Sequence, residues 1–142
     1  MPEKNLEDNL VEALLTAANY RSPEEYPVVI KRGEKELFRF TIRAVDEDSW
    51  RRALKENTQN RGRRSEELDV FRYLSQVIYS ATVEEDRERI WKNKTVWQKL
   101  NVASGVDCVN AVLSPAEKQV LASKIEKISG YDETTLDDII SK

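Results

Sequence analysis

Residues 37–45 alternate without a break: Phe38, Phe40, Ile42 and Ala44 fall on one side of an extended chain, Arg39, Thr41 and Arg43 on the other. Upstream, Val28-Val29-Ile30-Lys31 reads as a β-branched strand and Arg32-Gly33-Glu34-Lys35 as a turn, which together predict a hairpin over 28–45. An isolated hairpin is marginal in water, so its aromatic face needs a cover. The rest of the chain supplies helices for that purpose. The pattern therefore predicts an α+β protein, mainly α, with a small N-terminal hairpin packed on a bundle of short helices.

Helix signals fill the remainder. Asp46, followed by Glu47 and Asp48, opens a helix carrying Trp50 and Leu54. Residues 57–64 read as a polar loop, after which Ser65 is the expected cap of a helix with Leu68, Phe71, Leu74, Val77, Ile78 and Ala81 on one face. Thr82 and Glu85 have capping-box spacing. Short helices are expected from Thr95 to Asn101 and from Ser104 onward. Ser114-Pro115-Ala116-Glu117 is the clearest start: cap serine, proline at the first helical position, glutamate three residues after the cap. That helix carries Val120, Leu121, Ile125 and Ile128 and stops at Gly130. Asp132 is the expected cap of a last helix holding Leu136, Ile139 and Ile140.

At the other end, Leu6, Leu10, Val11, Leu14 and Leu15 make a leucine stripe over 5–19, opposed by Glu7, Asp8 and Glu12. Pro23 and Pro27 then prevent any helix from continuing. The expected division is 1–25 as amphipathic helix and linker, and 26–142 as a single domain with hairpin 28–45 and helical part 46–142. The length of 142 residues suits one core without a disulfide or metal staple.

The chemistry is narrow. The chain has no histidine, which excludes His-based triads, dyads and metal sites. Cys108 lacks a His partner, sits among Val106 and Val109, and reads as a small buried hydrophobe rather than a nucleophile. Four scattered glycines provide no phosphate-cradling loop. Glu84-Glu85-Asp86 are adjacent in sequence, so they do not share a helix face as metal ligands, and they read as helix-start charge. No cofactor is expected, nor catalysis. No stretch nears the length of a membrane span and no leader pattern is seen, so cytoplasm is the expected compartment.

Charge is segregated. Segments 1–26 and 131–142 are acidic, whereas 49–64 holds Arg51, Arg52, Lys55, Arg61, Arg63 and Arg64 against Glu56. Together with Arg87–Lys99, where Trp91 and Trp97 interleave with basic residues, this basic middle supports a nucleic-acid-binding or regulatory alternative. A pI near 5.2 argues against it.

The order of pieces carries a resemblance. The strand Phe38–Val45 runs directly into Asp46-Glu47-Asp48 and Trp50. Later, Ala111-Val112-Leu113-Ser114-Pro115-Ala116-Glu117-Lys118 leads to Ile128-Ser129-Gly130-Tyr131-Asp132. Over roughly 26–133 this resembles the XkdN-like tail assembly chaperones of phages and prophages of Gram-positive bacteria. That family shows a Leu-Leu-x-Pro-Gly-Glu-like element and an Ile-x-Gly-Phe-Asp-like stop. Here Ala116 replaces the glycine, Tyr131 replaces the phenylalanine, and the 84–86 region lacks a proline.

The resemblance implies a non-enzymatic protein of the bacterial host cytoplasm. It would bind the tape measure protein and keep it soluble until tail tube subunits polymerise around it. A longer frameshift form of the same protein is implied as a further partner, along with the tail tube protein. The expected partner-binding residues are Leu10, Leu14 and Leu15 first, Arg61, Arg63 and Arg64 second, and Leu136, Ile139 and Ile140 in the last helix. Self-association through the same surfaces is the competing use, and docking of both terminal stripes onto the core the simplest.

Overall fold

Gly33 takes a left-handed backbone with φ of +66°, which a side chain would resist, and reverses the chain between β1 (Tyr26–Arg32) and β2 (Lys35–Ile42). The strands pair antiparallel, with Val28 opposite Phe40 and Ile30 opposite Phe38, and the register slips between Ile30 and Lys31. The computed structural model describes residues 6–19, 24–59 and 67–130. Helix α1 (Leu6–Asn19) precedes the hairpin. After it come α2 (Glu47–Glu56), the two-residue strands β3 (Thr58–Gln59) and β4 (Glu67–Leu68), and α3 (Val70–Ala81). Then follow α4 (Glu84–Asp86), a π-helical turn (Arg87–Trp91), α5 (Lys94–Leu100), α6 (Gly105–Val112) and α7 (Pro115–Ser129). The architecture is α+β, mainly α, as the pattern predicts.

The second strand ends at Ile42, three residues before its alternation does. The cause is the free edge of β2, which the end of α3 takes: Arg43 N–H donates to Ala81 O (2.9 Å) and Val83 N–H to Thr41 O (3.0 Å). Val45 then turns inward, and its N–H donates to Ser129 Oγ (2.9 Å) at the end of α7.

The aromatic face does find a cover, made by the π turn. Phe38 and Phe40 stack at 5.9 Å, and the Trp91 ring meets them edge-on at 5.9 and 5.3 Å. Trp91 is fully buried, and its indole N–H donates to Thr82 Oγ1 (3.0 Å), which itself donates to Ile78 O (2.7 Å). Thr82 is therefore the end of α3 and not a capping box. Val83 precedes α4 and makes no side-chain cap bond. Around this centre one core joins Ile30, Ile42 and Val45 to Val77, Ile78, Val109, Leu121 and Ile125.

Caps fix most helix starts. Asp46, Ser104 and Ser114 accept from the N–H groups of Ser49, Asp107 and Glu117, and Ser114 with Glu117 completes the expected capping box. Asp69, four residues past the expected Ser65, caps α3 by accepting from Arg72 N–H (3.2 Å). The later start follows from β4, which pairs with β3 and holds 67–68 extended. The expected last helix after Asp132 lies outside the described residues.

Four expected core residues are exposed: Leu54, Leu68, Phe71 and, at 70%, Val120. Helix α2 buries Ala53 in place of Leu54, and α7 turns Lys118, Leu121, Ala122 and Ile125 inward, which leaves Val120 on the opposite side. A polar knot holds the base of the loop between β3 and β4. The buried Asn57 donates to Ala53 O and Gln76 Oε1 (both 2.7 Å) and accepts from Arg72 Nη1 (2.8 Å).

Thr82→Val would leave the buried Trp91 N–H without an acceptor, so it should cost about 1–3 kcal/mol. Thermal unfolding followed by near-UV circular dichroism checks this. A melting temperature lowered by several degrees is expected, whereas an unchanged one would show that the bond contributes nothing.

Candidate protein-interaction surface

Helix α1 has an apolar stripe that is exposed, with no cover from the other described elements. Leu6, Leu10 and Leu14 succeed each other at i, i+4 spacing with Leu15 beside them, and they are 88%, 57%, 59% and 58% exposed. Glu7 and Asp8 in its first turn suit the helix dipole. Yet a helix of this length is marginal in water by its own hydrogen bonds. Covering each leucine would contribute about 1.5–3 kcal/mol. The simplest expectation, that this stripe packs onto the core, is not met for α1.

A second apolar surface lies between β1 and α7. It is a shallow cavity of about 340 Å³, lined by Val28, Ile30, Ala116, Val120 and Leu121. Among the described residues β1 pairs only with β2, so its outer edge borders this cavity without a strand partner. One end is clasped by Arg32, whose Nη2 donates to Glu117 Oε1 (2.9 Å) and Val112 O (2.7 Å). The same glutamate accepts from Ser114 N–H (2.8 Å) in the capping box. The Arg32 guanidinium, and then the Ser114 bonds, hold the Glu117 carboxyl below the usual range.

Of the expected binding residues, the structure brings Leu10, Leu14 and Leu15 together on α1. Arg61, Arg63 and Arg64, and likewise Leu136, Ile139 and Ile140, lie outside the described residues. In the basic stretches, Arg51 pairs with Glu47 on its own helix. The buried Trp91 offers no ring face to a base. Trp97 donates its indole N–H to Trp91 O (2.7 Å), and the Lys94 ammonium sits 3.7 Å from its ring centroid.

The acidic run is used structurally: Asp86 accepts from Thr41 N–H (2.7 Å) and Arg89 Nη2 (3.0 Å). Among the described residues no three acidic or thiol groups are placed to hold a metal. Cys108 is buried, which pushes its thiol pKa up and matches the reading as a small hydrophobe. One buried charge escaped the sequence reading. Lys118 donates to Asn110 Oδ1 beneath the Phe71 ring, and burial pushes its pKa down. Its place three residues before Leu121 and seven before Ile125 was the available signal.

The family model described as phage XkdN-like tail assembly chaperone protein matches residues 11–141, nearly the whole chain. The chain belongs to that family. In this XkdN-like chaperone the match begins within α1, so Leu14 and Leu15 lie inside it and Leu10 just before. A crystal structure of the protein yqbn, a structural genomics target, is 20% identical with a TM-score of 0.48, covering 78% of this chain and 90% of its own. No curated protein matches the chain.

The Arg32–Glu117 clasp predicts a pH signature. The folded carboxyl pKa is depressed, so its contribution is present above the unfolded value of about 4.3 and is lost as pH falls through the folded one. Arg32→Gln should therefore lose less stability than wild type as the pH falls from about 5 through the acid range. Urea titrations across this range decide it, and parallel losses would rule the clasp out as a contributor.

Proposed function

We propose that this chain is a non-enzymatic tail assembly chaperone that binds the tape measure protein and keeps it soluble in the host cytoplasm until the tail tube forms around it. The observation that carries the reading is the exposed leucine stripe of α1 in a member of this family. A long amphipathic helical client exposes apolar faces that would otherwise pair with each other. A helix that is itself marginal alone, with leucines already in water, gains by covering such a face. Glu7, Asp8 and Glu12 keep the free chaperone from presenting a wholly apolar arm.

On this reading residues 1–25 act as the client-binding arm and 26–142 as the body that presents it. Leu10, Leu14 and Leu15 make the first contacts. Arg61, Arg63 and Arg64 form a secondary surface for acidic partner segments, and Leu136, Ile139 and Ile140 a second apolar one. The tail tube protein and a longer frameshift form of the chain are the further partners.

Co-expression with the tape measure protein encoded nearby, followed by size-exclusion chromatography, tests it. A client that is insoluble alone should co-elute with this chain, and Leu10→Asp with Leu14→Asp should abolish co-elution without changing the melting temperature of the body. A client that stays insoluble with wild type, or one that co-elutes equally with the double variant, overturns the proposal or its binding stripe respectively.

A further inference from the structure

Eight arginines fall among the described residues, and their partners divide them sharply. Arg32, Arg39, Arg51, Arg72 and Arg89 each have a carboxylate within ion-pair distance. Arg43, Arg52 and Arg87 have none among the described residues, and all three line one cavity of about 850 Å³ between the end of the hairpin, α2, α3 and the π turn. Each comes from a different element. Arg43 follows β2 and is anchored by its backbone bond to Ala81, Arg52 lies on α2, and Arg87 opens the π turn.

The Arg87 side chain is the most constrained. Its guanidinium carbon lies 5.7 Å from the Tyr79 ring centroid, and its Nε is buried with no hydrogen-bond partner. Tyr79 is itself held by the close approach of α6, since a Cβ on Gly105 would stand 2.3 Å from its ring. A buried guanidinium N–H with no acceptor is uncommon in a folded protein and sets Arg87 apart from the paired arginines.

Among the described residues, the carboxylates that line the same cavity are Glu25, Asp46 and Glu56. Asp46 accepts from Ser49 N–H (2.8 Å) as the α2 cap, and Glu56 accepts from the Gln76 amide (2.8 Å). None of the three is ion-paired to these guanidiniums. Among the described residues the cavity carries three of each sign, so an occupant gains little from long-range attraction. Planar guanidiniums instead favour single carboxylates docked at short range, and the Ala44, Val45 and Val106 walls suit the backbone that would carry them.

We propose that this cavity is a carboxylate-binding site, and that its occupant is an acidic segment of a partner protein. The site shares no residue with the α1 stripe, so it stands or falls separately from the client reading.

The probe is a fluorescein-labelled peptide of alternating glutamate and alanine, titrated with the full chain and read by fluorescence anisotropy. Binding is expected for this peptide and not for its glutamine counterpart. Arg43→Gln with Arg52→Gln, both exposed positions, should weaken it by about tenfold or more at an unchanged melting temperature, while Arg39→Gln, at a paired arginine, should not. No binding, or equal weakening by Arg39→Gln, overturns the site. Displacement of the peptide by inorganic phosphate at equal concentration overturns the peptide as ligand in favour of a small anion. The chain's own acidic residues are checked by Asp132→Asn, Glu133→Gln, Asp137→Asn and Asp138→Asn together in the full chain. Unchanged peptide affinity is expected, and a marked rise would overturn a partner as the occupant.

Discussion

The indole of Trp91 holds this fold together. A two-stranded hairpin cannot bury Phe38 and Phe40 by itself, and the ring that meets both edge-on comes from fifty residues further along the chain. Burying an indole demands an acceptor for its N–H, which Thr82 supplies at the end of α3. The same two residues after α3, Thr82 and Val83, run beside β2 and satisfy its edge. One short stretch thus closes the sheet, ends a helix and accepts from the tryptophan. The π turn follows from this demand, because it sets Trp91 under the hairpin where the preceding residues, through Asp86, are already bonded to Thr41.

Local signals in the sequence were legible where the physics is local. Alternation found the hairpin, and Asp46, Ser104 and the Ser114–Glu117 box found three helix starts, because a cap needs only its own next three residues. The failures are all long-range. Thr82 has the spacing of a cap, but a buried indole nine residues away claims its hydroxyl. Leu54 and Val120 look like core by type, yet neighbouring helices select the faces bearing Ala53 and Lys118 instead. Strand β2 stops at Ile42 because α3 arrives there, and nothing in 37–45 records that arrival.

The candidate surfaces divide in the same way. The α1 stripe was readable as a stripe, but whether it is covered depends on everything else, and among the described residues its leucines stay exposed. The β1–α7 cavity could not be read at all, since it joins residues some ninety positions apart. The three arginines without carboxylates are equally invisible in sequence: Arg43 reads as the solvent face of a strand, Arg52 as part of a basic run, Arg87 as a companion of Trp91. Family membership and geometry point the same way on class, toward a protein that works by contact. The two exposed kinds of surface, an apolar stripe and unpaired guanidiniums, call for different partner chemistries.

The central claim is that α1 is the arm that receives the client. Hydrogen exchange read by mass spectrometry, on the chain alone and in complex with the tape measure protein, addresses it directly. The account predicts fast exchange across residues 6–19 in the free chain, since an uncovered helix of that length has little protection, and marked slowing of those same amides in the complex. A complex that forms while residues 6–19 exchange as fast as before would contradict it.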